Sequence, residues 1–130
     1  MGFDQYHEPP GELPERTRTF ARLCASLTEE AEAIGWYEQR MAVEKDREAL
    51  AIMRDAQGEE FKHFCMDLEF LLRRTPLWRE IAEGVLFQDG DIVEHGEAAE
   101  EGAVEGSADR GAPVAGSTSL GIGGLAEVAS

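Results

Sequence analysis

Gly58-Glu59-Glu60-Phe61-Lys62-His63-Phe64 carries a Glu-x-x-His pair, Glu60 and His63, inside a stretch with helical periodicity. Residues three apart on a helix share a face, so the pair presents one oxygen and one nitrogen donor side by side. A further acid, Glu30, interrupts an apolar stripe on the preceding segment. Carboxylate-bridged di-iron centres in helix bundles use two Glu-x-x-His pairs and one more glutamate from each of two other helices. This chain supplies one pair and one glutamate. The set closes only when two chains come together.

Working outward, residues 1–13 are polar, contain Pro9, Pro10 and Gly11, and read as an extended lead-in. Pro14 suits the first turn of a helix, where its missing N–H costs nothing. From there to about Glu44, Phe20, Leu23, Leu27, Ile34, Tyr37 and Met41 recur at steps of three and four, and Glu30 fills the one gap. Lys45-Asp46-Arg47 makes a short connection, and a second helix is expected from about Asp46 to Arg74. Its inward positions are Leu50, Met53, Ala56 or Gln57, Glu60, Phe64, Leu68 and Leu71. Thr75-Pro76 stops it, because a residue before proline avoids helical geometry. A short third helix from Leu77 to about Phe87 would bury Trp78, Ile81, Val85 and Leu86.

Two long helices joined by a tight turn lie antiparallel. One hairpin alone leaves a broad apolar face in water, so a second hairpin is expected to cover it. The predicted class is all-α: an antiparallel two-helix hairpin plus a short C-terminal helix, dimerising into a four-helix bundle. Residues near 30 and near 60 then stand at similar heights, each about fifteen residues from the turn.

The 130 residues have room for one small domain and carry a formal charge of -15. Residues 1–87 hold 18 acids against 11 bases, while residues 88–130 hold 9 against 1. Such a balance repels nucleic acid and anionic membranes and attracts cations. No apolar run is long enough to span a bilayer, and the first ten residues lack the pattern of a signal peptide. Cys24 and Cys65, each within a predicted helix, fit reduced, buried thiols of a cytoplasmic chain.

Past Phe87 the composition turns to Gly, Ala, Ser and acids, which predicts a chain unable to offset its ordering entropy. The division expected is a helical domain over 14–95, a disordered acidic linker over 96–116 and a terminal peptide over 117–130. Within that peptide Ser119-Leu120-Gly121-Ile122-Gly123-Gly124-Leu125 spaces three aliphatics with glycines, the pattern of a docking segment.

A lone Glu-x-x-His occurs often on solvated helix faces. Glu30 and Glu60 stand apart because both lie on otherwise apolar seams, where an unpaired carboxylate is costly. Imidazole with carboxylates suits iron, manganese or zinc, and four glutamates with two histidines favour the redox-active pair. Glu29 and Glu32, three apart on one face, are either solvated acids or a secondary site that attracts calcium or another divalent cation. Glu59 reads as a solvated acid. Tyr37 is either beside the ligands or an ordinary core aromatic, and Trp36 is expected at a subunit contact. His7 and His95 are given no role.

The stretch Glu29-Glu30-Ala31-Glu32-Ala33-Ile34-Gly35-Trp36-Tyr37-Glu38-Gln39-Arg40, followed by Glu59-Glu60-Phe61-Lys62-His63, resembles the encapsulated ferritins over about residues 7–95. Ser119–Leu125 is similar to the cargo-loading peptide of encapsulin shells. The resemblance implies a ferroxidase that oxidises Fe(II) with O2 at a di-iron centre between subunits, with Glu30, Glu60 and His63 as ligands. It also implies a secondary metal site at Glu29 and Glu32 near the route of iron, with Trp36 and Tyr37 beside it. A ring of five dimers would pass oxidised iron to storage inside an encapsulin nanocompartment of the bacterial cytoplasm, and Ser119, Leu120, Gly121, Ile122, Gly123 and Leu125 would dock to the shell.

Two positions depart from the family's pattern, Gly35 before the Trp-Tyr pair and Lys62 before the histidine, where acids are frequent. The alternative is a non-catalytic helical cargo that binds or buffers metal.

Overall fold

Helix α1 runs from Glu15–Val43 and α2 from Arg47–Arg73, followed by α3, Pro76–Val85, and α4, Ile92–Asp109, in a computed structural model that describes residues 5–109. The chain divides into two compact units, one ending at Leu71 and the other starting at Leu72. No described helix is long and apolar enough to cross a membrane. The all-helical class agrees with the expectation. The docking segment at 119–125 lies outside the described residues.

In the first unit the expected extended lead-in closes into a 3-10 turn, Pro10–Glu12. Arg18 holds that turn, donating from Nη1 to the Pro10 carbonyl at 2.7 Å while its Nη2 meets Glu15 at 2.7 Å. At the hairpin, Glu44 Oε2 accepts from the Lys45 and Asp46 amides at 3.1 and 3.0 Å. Asp46 Oδ1 then accepts the Ala49 amide at 2.9 Å, capping α2 in the usual way for an aspartate. Chain reversal is thus written into three residues.

The register of α1 against α2 is set by Gln57, which is buried. Its Nε2 donates both to the Ile34 carbonyl at 3.2 Å and to Glu38 Oε1 at 3.0 Å. A buried amide with both contacts made holds one sliding position of the helices and penalises the others. The two sequence alternatives for the inward position are thereby decided, with Gln57 buried and Ala56 half-buried.

In the second unit the structure differs from the expected linker. Ile92–Asp109 is a helix, starting where Asp91 Oδ1 accepts the Glu94 amide at 2.9 Å. The physical reason is propensity and close approach rather than bulk. Ala98, Ala99, Ala103 and Ala108, with the glutamates between them, favour helix, and Ala103 is buried. A Cβ added at Gly84 of α3 would lie 2.5 Å from the Ala99 Cβ. The two helices therefore touch through a glycine and alanines, and a search for large apolar residues overlooks such an interface.

Between them, Gly90 has φ 102 and His95 Nε2 lies 2.7 Å from the Asp89 carbonyl. His95, given no role from sequence, pins this loop. Trp78, Ile81 and Val85, expected to be buried, are half-buried, and Leu86 is exposed. It stands at the C-cap of α3, and the next residue, Phe87, takes φ 63 and turns fully outward. The helix ends before either side chain reaches the interior. Cys24 is half-buried, whereas Cys65 is exposed, because it falls on the outer flank of α2 and not on the seam.

Gly84 gives a direct test of the α3–α4 contact. Gly84→Leu is expected to destabilise the unit by about 1–3 kcal/mol through overpacking, despite the better helix propensity of leucine. Hydrogen exchange should show the loss in the amides of α4, and unchanged protection there would contradict the packing described.

Candidate metal centre

Glu30 comes from the middle of α1, and Glu60 and His63 from α2. The antiparallel register fixed by Gln57 brings them level. One donor atom from each lies within 4.8 Å of the other two. Glu60 Oε1 stands 3.8 Å from His63 Nδ1, too long for a hydrogen bond and free to turn toward a shared third partner. Glu30 and Glu60 are half-buried and His63 is exposed.

Glu30 is the unusual member. Its Oε1 is out of contact with water and receives no hydrogen bond. Burial is the largest influence on it, followed by the Asp67 carboxyl, then Glu60 and Glu29, and together they push its pKa up to about 7. An acceptor of this kind, set among further acids and an imidazole, fits a cation. Three donors from one chain are fewer than a transition-metal ion takes, which leaves room for further ligands.

Asp67 is the residue that sequence reading missed. It lies four positions past His63 and seven past Glu60, on the same face of α2, and its Oδ2 is also buried without a partner. The signal was available in that spacing. It was masked because the apolar seam was traced through Phe64 and Leu68, on either side of it.

The other nominated residues are not gathered into the trio. Glu29 is exposed and Glu32 half-buried, and among the described residues they join no group of three metal-type donors within one chain. Tyr37 is half-buried with the Arg40 guanidinium 5.2 Å above its ring. Trp36 is half exposed, on the same flank of α1 as Glu29. Lys62 pairs with Glu59 at 2.7 Å, both exposed, and this pairing holds the Glu59 carboxyl below its ordinary value. A Cβ at Gly35 would meet nothing within 4 Å, so no close contact requires glycine there.

The raised Glu30 pKa has a defined consequence in the metal-free protein. Between the ordinary value of 4.5 and about 7 the folded chain holds a proton that the unfolded chain releases. This contribution to stability is full below the lower value and is lost as pH rises through the upper one. Glu30→Gln removes the charge. Its melting temperature in EDTA should exceed that of the wild type by several degrees above pH 7, and the gap should close toward pH 4.5. A gap independent of pH would contradict the burial of this charge.

The EncFtn-like family profile matches residues 5–89. A ferritin-like protein of Thermotoga maritima is 41% identical over 108 residues, covering 83% of this chain and 95% of its own length. An encapsulated ferritin-like protein of Rhodospirillum rubrum is 40% identical over 121 residues, covering 92% of this chain and 86% of its own. A crystal structure of a protein from Nitrosomonas europaea superposes with a TM-score of 0.67 at 38% identity, covering 68% of this chain and 98% of that one. An all-helical hairpin carrying a carboxylate–imidazole trio, with relatives of this kind across most of its length, belongs to the EncFtn-like family of encapsulated ferritin-like proteins.

Proposed function

We propose that this chain is a ferroxidase subunit: two copies bring Glu30, Glu60 and His63 together twice over, and the six side chains hold two Fe(II) as substrate. Each Fe(II) gives one electron to O2 and leaves as Fe(III). The observation that carries this reading is the trio itself, three donors within 4.8 Å of one another, one of them from Glu30, whose Oε1 is buried without a hydrogen bond. Donors of this type hold Fe(II) through oxygen and nitrogen, and bridging carboxylates keep two ions close enough to act on one O2.

A second copy is called for by the surface as well as by the ligand count. Trp36, Ile52, Phe61 and Met66 are all exposed on the hairpin of one chain, and Ile52 and Met66 stand on the flank of α2 next to His63. A two-fold pairing over this flank would bury them and bring the two trios face to face. Glu29 and Glu32, on the outer flank of α1, would then form a secondary cation site, calcium among its candidates, on the approach to the centre. By the resemblance to encapsulated ferritins, five such dimers close a ring and the oxidised iron is stored within an encapsulin shell. Residues 119–125 would be the segment that docks to that shell.

Glu60→Ala and His63→Ala should lower Fe(II)-dependent oxygen consumption by about 100-fold or more, the upper scale even for outer-shell changes at metal sites, with helix content unchanged by circular dichroism. Normal turnover in either variant would overturn the assignment. A wild-type chain that binds Fe(II) in air without the near-ultraviolet absorbance of Fe(III) would instead be a metal-holding cargo.

Removal of residues 117–130 is expected to leave iron oxidation unchanged and to end co-purification with a co-expressed encapsulin shell protein. Retained co-purification would show that the segment does not dock.

A further inference from the structure

Gly35 is the only glycine of α1, and Ile34, Trp36 and Tyr37 beside it are weaker helix formers than the alanines and glutamates before them. A Cβ there would meet nothing within 4 Å, and glycine has more backbone freedom to lose than any other residue. The helix is therefore softest between the stretch that carries Glu30 and the stretch that leads into the reversal fixed by Glu44 and Asp46. Glu30 lies about 7 Å along the axis from Gly35, so a bend of about 10° there moves it by about 1 Å. Metal–ligand distances tolerate only about 0.2 Å.

Gln57 spans that soft point from the other helix. Its Nε2 donates to the Ile34 carbonyl at 3.2 Å, on the Glu30 side of Gly35, and to Glu38 Oε1 at 3.0 Å, on the reversal side. Ile34 stands one turn after Glu30, and Gln57 one turn before Glu60, so these bonds lie next to the trio on the same two helix faces. The amide is buried, where water does not compete for it and loss of its partners is costly. An apolar residue would fill the seam at 57 as well, whereas only a donor can grip both sides of Gly35. Resting on the ferroxidase reading above, we propose that Gln57 is a positioning residue for the metal centre: it splints α1 across Gly35 and so keeps Glu30 opposite Glu60 and His63.

The test compares full-length wild type, Gln57→Met, Gly35→Ala and the double variant by Co(II) titration, by the KM for Fe(II) in oxygen consumption, and by melting temperature in EDTA. Methionine keeps the bulk at 57 and removes both hydrogen bonds. Gln57→Met should bind Co(II) about tenfold more weakly and raise the KM for Fe(II) alike, the scale for residues that orient metal ligands. Adding Gly35→Ala should restore most of that affinity, because alanine stiffens the turn that the lost bonds no longer hold. Gly58→Ala, at an equally open position of α2, is the control: it should raise the melting temperature and restore no affinity. Co(II) binding and an Fe(II) KM like those of the wild type in Gln57→Met would overturn the proposal, and with a lowered melting temperature they mark a residue that only packs. Losses that simply add in the double variant, or equal rescue by Gly58→Ala, would overturn it too. If Gln57→Met does not fold, Glu38→Ala, an exposed change that removes one acceptor, decides in its place with and without Gly35→Ala. If wild type binds Co(II) but consumes no oxygen with Fe(II), the ferroxidase reading fails and the Co(II) series still decides the role of Gln57. If wild type binds no Co(II), both fail.

Discussion

A carboxylate buried on the seam between two helices is the constraint around which the first unit is built. Glu30 replaces an apolar residue on α1, and one of its oxygens has neither water nor donor. Keeping such a group in place requires that its surroundings be rigid, since any slippage of α2 would hand it to solvent or to an apolar side chain. Gln57 supplies that rigidity from one side chain, bonded to the backbone at Ile34 and to Glu38. The Glu44 and Asp46 side chains do the same at the hairpin, where they fix the length of the reversal. Register and turn together decide that Glu60, His63 and Asp67 of α2 are the polar side chains brought toward Glu30.

The same constraint would link the centre to the pairing of two copies proposed above. Three donors on one hairpin are an incomplete shell, and two of the exposed apolar residues, Ile52 and Met66, lie on the flank where His63 emerges. Under a two-fold axis every contact is repeated, so one surface patch covers its own copy and one half-shell completes its own copy. Burial of the apolar flank would also shield the charges and strengthen each metal–carboxylate contact. Assembly and metal binding would then favour each other, because each removes the cost the other leaves.

The sequence made some of this legible and not the rest, for physical reasons. The α1 stripe was readable because its steps of three and four match the helix period, and Glu30 was readable as the break in it. Glu60 and His63 followed from their spacing. Asp67 was hidden by the same method, since an apolar trace runs past a short acid that shares its face. Helix α4 was hidden because its contact with α3 rests on Gly84, Ala99 and Ala103, residues whose composition looks like linker. Cys65 and Leu86 show that a thiol or leucine in a helix need not face inward; the first lies on the outer flank and the second stands where α3 stops.

Gly35 and Lys62, the two departures from the family's pattern, can be weighed from their surroundings. Gly35 has open space about its Cβ position, so an acidic side chain would fit there and its absence lowers the local negative field without relieving any clash. Lys62 is held by Glu59 at 2.7 Å, and the exposed pair is close to neutral as a unit. Neither touches the trio. On the ferroxidase reading, the attraction of a cation toward the hairpin would then fall to Glu29 and Glu32 on α1 and to Glu60 and Asp67 on α2. With a formal charge of -15 spread over the chain, the loss of one or two charges changes the long-range field little, and at physiological salt that field is screened within about 8 Å. On the ferroxidase reading, what Gly35 and Lys62 would alter is therefore the last few ångströms of an ion's path, where the order in which it meets the carboxylates would be decided.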